Sequence, residues 1–272
     1  MKAGDTPAPN PSASGLPRRL SRDRLVVLSA LTVLLALTWL DLLRRSDALT
    51  PAAVGQHLAM PQTTSYGLGD LVMIAAMWIV MMVAMMLPAA APMVLLFLRM
   101  AERRRTLERA AAPTGAFALG YLLVWTGFGL LATGAQWGLH TAALLSPHAA
   151  LLSPMVAGVV LIATGAFQFS RLKWTCLAHC QSPLDFLGAH WREGIRGAIL
   201  MGLDHGVYCL GCCWALMLLL FVGGVMNLAW IAVLTVFVLV ERIVAKGRHV
   251  SWAAGTLLIL WGLGILTGAI GR

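Results

Sequence analysis

Of 272 residues, 59% are hydrophobic and only 11% charged, with a formal net charge of +9. So little polar surface cannot coat a soluble domain of this length, which points instead to a multispanning membrane protein. The excess positive charge does not call for nucleic acid as a partner, because it sorts onto one set of connections between apolar segments.

Residues 1–24 read as a disordered basic cytoplasmic tail, rich in Pro, Ser, Gly and Ala over their first part. Residues 25–272 read as a single transmembrane helical domain. A helix needs roughly 20 mainly apolar residues to cross a bilayer, and on that criterion the chain holds about seven spans. They are predicted at residues 25–43, 71–98, 115–139, 151–169, 197–221, 225–240 and 251–270. The expected fold is therefore all-α, a polytopic transmembrane helix bundle.

The first span lacks a small-x-small cleavage site in "LALTWLDLLRRS" and reads as an uncleaved signal anchor. A loop over residues 44–70, with His57, Met60 and Pro61, follows it. The second span contains "MIAAMWIVMMVAMMLPAAAPM". At about 100° per residue, Met73, Met77, Met81 and Met85 make a broad stripe, and Met82, Met86 and Met93 share another face. Thioethers bind Cu(I) and exchange readily, while methionine is also a flexible filler of helix contacts. Pro88 and Pro92 free backbone carbonyls in this span.

Basic residues flank the tail, the second-to-third connection, the fourth-to-fifth and the sixth-to-seventh, leaving only Arg44, Arg45 and Arg272 for the opposite side. The N-terminus is predicted cytoplasmic and the C-terminus outside, in a bacterial inner membrane. Arg103, Arg104 and Arg105 could also touch anionic lipid. His140, His148 and His190 read as polar loop residues before they read as ligands.

Every cysteine lies between Cys176 and Cys213. "CLAHC" places Cys176, His179 and Cys180 at i, i+3 and i+4 in the cytoplasmic connection before the fifth span, neighbours if that stretch is helical. In "DHGVYCLGCCW", His205, Cys209 and Cys212 fall within an arc of roughly 60°, with Met201 on the same side and Cys213 about 40° beyond Cys209. Thiolate, imidazole and thioether form a soft donor set suited to Cu(I) first and Zn(II) next. Packing is the competing role, since a buried cysteine behaves as a small hydrophobe. Asp204 divides between ligand, proton carrier and partner of a basic residue. Glu241, at the end of the sixth span, reads as a solvated helix-end carboxylate.

The runs "MMVAMMLPAAAPM", "CLAHCQSPLDFL", "GVYCLGCCWALM" and "GVMNLAWIAVL…VER", across roughly residues 70–245, resemble an uncharacterised bacterial family of predicted metal-binding integral membrane proteins, a domain of unknown function. The resemblance implies a polytopic inner-membrane protein and a metal site carried onto Cys176, Cys180, Cys209, Cys212 and Cys213. Gln181 and Arg242 depart from the family pattern, where a basic residue and a lysine are usual.

The soluble-enzyme signatures GxxxxGK[ST] and HExxH are absent. The sequence thus predicts a bundle holding a transition-metal ion, copper ahead of zinc, between the methionine-rich second span and the cysteine-bearing fifth. Its expected metal residues are Cys176, His179, Cys180, His205, Cys209, Cys212, Cys213, Met82 and Met86. The bilayer, a soluble metal carrier or a partner membrane subunit are the expected partners. Two alternatives stand beside it: a membrane thiol oxidoreductase working with a quinone or a partner, and a non-catalytic membrane subunit whose cysteines only pack helices.

Overall fold

A computed structural model describes residues 22–47, 67–104, 110–146, 149–244 and 247–269. Most of the tail, the loop histidine His57 with Met60 and Pro61, Arg105 and His148 lie outside the described residues. The described chain is helical: α1 (Arg22–Asp47), α2 (Leu68–Arg104), α3 (Ala111–Thr141), α4 (Pro154–Phe167), α5 (Arg171–Gln181), α6 (Pro183–His190), α7 (Gly194–Gly223), α8 (Leu228–Ile243) and α9 (Gly247–Leu266).

Five of these helices, α1, α2, α3, α7 and α9, are long and apolar enough to cross a membrane, and the bent pair α4 and α5 brings that to six. One expected span is shorter than predicted, α4 at 14 residues, and α8 keeps its expected length of 16 but begins three residues later. Local stop signals explain the difference. Ser153 caps α4 through Val156 N–H with Pro154 in its first turn, and after Phe167 the chain turns by 61° into α5, which Ser170 caps through Lys173 N–H. Similarly, Gly224 ends α7 at φ +91°, a backbone conformation suited to glycine, and Asn227 caps α8.

Small residues set the closest helix approaches. A Cβ on Gly202 of α7 would overlap the Phe117 carbonyl oxygen of α3, and one on Gly120 would run into the Ile199 carbonyl oxygen of α7. The two backbones therefore pack at contact distance. The α4–α9 contact is built the same way, where a Cβ on Gly165 or Gly262 would come within 2.7 Å of a carbonyl oxygen on the facing helix.

α2 stays helical through Pro88 and Pro92. Pro88 has no N–H to offer the carbonyl four residues back, that of Ala84, and the Trp39 indole of α1 donates to that oxygen at 3.2 Å instead. The freed carbonyl anticipated from the sequence thus ties α1 to α2. Trp39→Phe is expected to cost about 1 kcal/mol, read as a lower unfolding temperature in detergent, with Pro88→Ala in the same background restoring much of it.

Candidate metal centre

α7 carries the cysteine run at its middle, and His205, Cys209, Cys212 and Cys213 are all buried. The Cys212 and Cys213 thiols donate to the Cys209 carbonyl at 3.1 and 2.9 Å. This back-bonding holds them along the helix, while Cys209 Sγ turns toward the neighbouring elements. There it meets the Tyr121 hydroxyl of α3 at 3.1 Å, which also donates to the Met86 carbonyl of α2 at 3.1 Å.

A guanidinium closes the cluster. Arg242 of α8, only 8% exposed, donates through one terminal nitrogen to Cys209 Sγ at 2.6 Å and reaches Cys212 Sγ at 3.7 Å. Next to it on α8, Glu241 is 1% exposed and paired with Lys173 of α5, whose Nζ lies 2.8 and 2.9 Å from the two carboxylate oxygens. Ser251 of α9 donates to Glu241 Oε1, and Lys173 Nζ donates to the Cys212 carbonyl at 3.1 Å. Glu241 is therefore not the solvated helix-end carboxylate expected from the sequence. It ends α8 against α5 and α9, and burial without Lys173 would be costly.

The 61° turn brings the second cysteine set to the first. The sequence placed "CLAHC" in a connection at the inner surface; α5 instead lies along the middle of α7. Cys176 is buried with its sulfur 2.6 Å from where a Gly211 Cβ would stand, so that glycine leaves room for it. Cys180 is half-buried and sits beside Cys212, Cys209 and Arg242. Gln181, the departure from the family pattern, donates to the Glu241 carbonyl at 2.8 Å and fastens the end of α5 to α8.

The two histidines differ. His179 stacks flat on Tyr208, centroids 4.1 Å apart, with Nδ1 2.7 Å from the Thr175 carbonyl. That bond assigns the proton to Nδ1 and leaves Nε2 as the donor atom toward a metal. His205 is 1% exposed, boxed by the Phe117, Tyr121 and Phe186 rings, and neither ring nitrogen has a hydrogen-bond partner. A buried imidazole without a partner is costly, and a bound cation would offset that cost.

Met82 and Met86 are fully buried and belong to the same apolar core as the α7 cysteines. α2 and α7 meet there through large side chains, Tyr121 between them and Trp78 on Phe221 at 5.3 Å. Met93 and Met201 pack in a separate cluster near Phe97, and Met73 is exposed. Asp204 pairs with Arg192 at 3.4 Å on the surface, and His190 bonds the Phe186 carbonyl at 3.0 Å, so both have local structural roles. Among the described residues, no three His, Cys, Asp or Glu side chains form a group able to hold an ion.

Residues 75–265 match the family described as PpoB2, copper chaperone. The chain belongs to this copper chaperone family. The match runs from within α2 to the end of α9 and takes in every cysteine, Tyr121, Lys173, Glu241 and Arg242. It agrees with the metal-related family that the motifs resemble. No curated protein and no solved structure matches the chain.

Tyr121, Lys173 and Arg242 are absent from the residues expected from sequence. Their signal was the presence of charge beside apolar runs: a lysine three residues before Cys176, and an adjacent acid and base ending the α8 run. Buried ionisable groups in apolar helices are usually functional.

Proposed function

We propose that this chain is a multispanning inner-membrane protein that binds copper as Cu(I) and passes it on. The copper is cargo. The supporting observation is that the buried Cys209 and Cys212 sulfurs both lie against the Arg242 guanidinium, in a chain whose family is described as copper chaperone. Thiolates are soft ligands, and two of them suffice for Cu(I), which accepts linear ligation. Zn(II) prefers four protein donors in a structural site.

Membrane insertion is supported by the outward faces. Leu37 of α1, Val72 of α2, Leu131 of α3 and Leu257 of α9 are exposed, as helices solvated by hydrocarbon require. The basic flanks support a cytoplasmic N-terminus and an outside C-terminus.

In this reading Cys209 and Cys212 hold the ion, with Cys213, His205, Met82 and Met86 as the surrounding soft donors. Cys176, His179 and Cys180 exchange it with a soluble carrier or a partner subunit; α5 reaches the site through Cys180 and leaves the neighbouring His179 partly exposed. Transfer by ligand exchange needs donors close enough to share the ion, which the Cys180–Cys212 contact supplies.

The test is element-resolved metal content of the full chain, purified anaerobically in detergent after growth with added copper. The wild type is expected to carry about one copper per chain and the Cys209→Ser/Cys212→Ser variant almost none; equal copper in both would defeat the proposal. The Cys180–Cys212 contact also favours a second reading, thiol–disulfide exchange with a quinone. Thiol labelling in cells separates the two: a Cys180–Cys212 disulfide supports redox work, and persistently reduced thiols support copper.

A further inference from the structure

Besides the neighbouring thiols of Cys180 and Cys213, five ionisable groups surround the Cys209 and Cys212 sulfurs within the described interior: Lys173, Glu241, Arg242, Tyr121 and His205. Lys173 and Glu241 are 0% and 1% exposed and form a close ion pair, so their charges cancel. Arg242 remains. The residue is 8% exposed and directs its one bonded nitrogen at the two sulfurs. A buried cation whose nearest partners are two thiol sulfurs needs an anion there.

We infer that Arg242 makes this centre selective for monovalent soft cations, Cu(I) and Ag(I), over divalent ones such as Zn(II). The inference rests on the copper-binding reading above and names the charge class of its cargo. Two thiolates with a +1 ion form a complex of charge −1, which Arg242 neutralises. Two thiolates with a +2 ion form a neutral complex, which leaves the guanidinium buried and unbalanced. A third thiolate would restore the balance for a divalent ion, yet among the described residues no group of three such donors is assembled. The distinction is therefore electrostatic and does not depend on pore size or on a ligand that one ion prefers. It also makes Arg242 a positioning and specificity residue that need not touch the metal.

A unit charge about 4 Å from the complex, at an effective dielectric near 20, changes its stability by roughly three powers of ten, and relaxation reduces this to an expected factor of about a hundred. The experiment titrates the full-length detergent-solubilised protein, anaerobically and against chelators of known affinity, with Cu(I), Ag(I) or Zn(II) alone. The wild type should bind Cu(I) and Ag(I) at one site and Zn(II) far more weakly. Arg242→Met should lose that preference by about a hundredfold, with Zn(II) gaining as the monovalent ions weaken, and Arg242→Lys should keep most of it. If Arg242→Met does not fold, Arg242→Gln and the wild-type Ag(I) against Zn(II) comparison decide. Equal preference in the wild type and the neutral variant, or wild-type Zn(II) binding as tight as Ag(I), overturns the inference while leaving copper binding intact. A wild type that binds none of the three ions at Cys209 and Cys212 overturns the copper-binding reading itself, and the inference with it.

Discussion

Replacing Glu241 with leucine is expected to destabilise the protein by about 3–5 kcal/mol, because it leaves Lys173 charged, fully buried and unpaired. Lys173→Met should cost a similar amount by stranding the carboxylate beside Ser251. The double change Lys173→Met/Glu241→Leu should recover most of either loss, since apolar residues of similar size often replace a buried pair at little cost. Thermal unfolding in detergent, followed by tryptophan fluorescence, reads the cycle; additive losses would show that the two groups do not act as a pair. The pair also has a positional role. Lys173 Nζ holds the Cys212 carbonyl as well as Glu241, so it clamps α5 against both α7 and α8. The recovered double variant should therefore be stable but exchange copper more slowly with an external carrier, because Cys180 is no longer fixed beside Cys212. That separation of stability from transfer distinguishes a clamp from a mere packing contact.

The five long apolar helices were legible because hydrocarbon-length runs leave little else for the chain to form. Of the short ones, α4 was over-read and α8 was placed three residues early. Apolar composition continues smoothly through Val225 and Met226, while the α7 terminus is set by the backbone of Gly224 and the start of α8 by the Asn227 side chain. Helical spacing put His205, Cys209 and Cys212 on one face, and the structure has that face buried. What spacing could not give was the 61° turn after Phe167. It depends on how α5 packs, through Lys173, Gly211 and Gln181, and it carries Cys176 and Cys180 from an expected surface connection to the thiols of α7. Lys173 shows why the error arose. Counting it as a surface basic residue served the orientation rule, whereas in the folded chain it is wholly buried opposite a carboxylate 68 positions away. Arg242 was legible only as a flanking basic residue and a departure from the family pattern, because a cation at the end of an apolar run gives no sign of its tertiary partners.

Gly202→Ala, a change of one methyl group, is expected to disturb both the fold and the proposed copper centre. The added carbon would overlap the Phe117 carbonyl oxygen and stand 2.9 Å from its carbonyl carbon and 3.1 Å from Tyr121 N. These are backbone atoms of a helix, so no rotamer change relieves the contact and α3 must move away from α7. Overpacking of this kind costs about 1–3 kcal/mol. Because Tyr121 is one of the residues displaced, its hydroxyl would leave Cys209 Sγ and the Met86 carbonyl together, loosening the link between the cysteine and methionine helices. Copper affinity should fall along with the unfolding temperature. The control lies on α3 itself: Gly134 is exposed and a Cβ there meets nothing within 4 Å. Gly134→Ala should be neutral or raise stability by up to about 1 kcal/mol through helix propensity, and should leave copper content at the wild-type level. Opposite signs for two glycine-to-alanine changes on packed neighbours would show that the α3–α7 backbone distance, rather than helix propensity, governs the centre; a silent Gly202→Ala would show that the helices can separate without cost to the site.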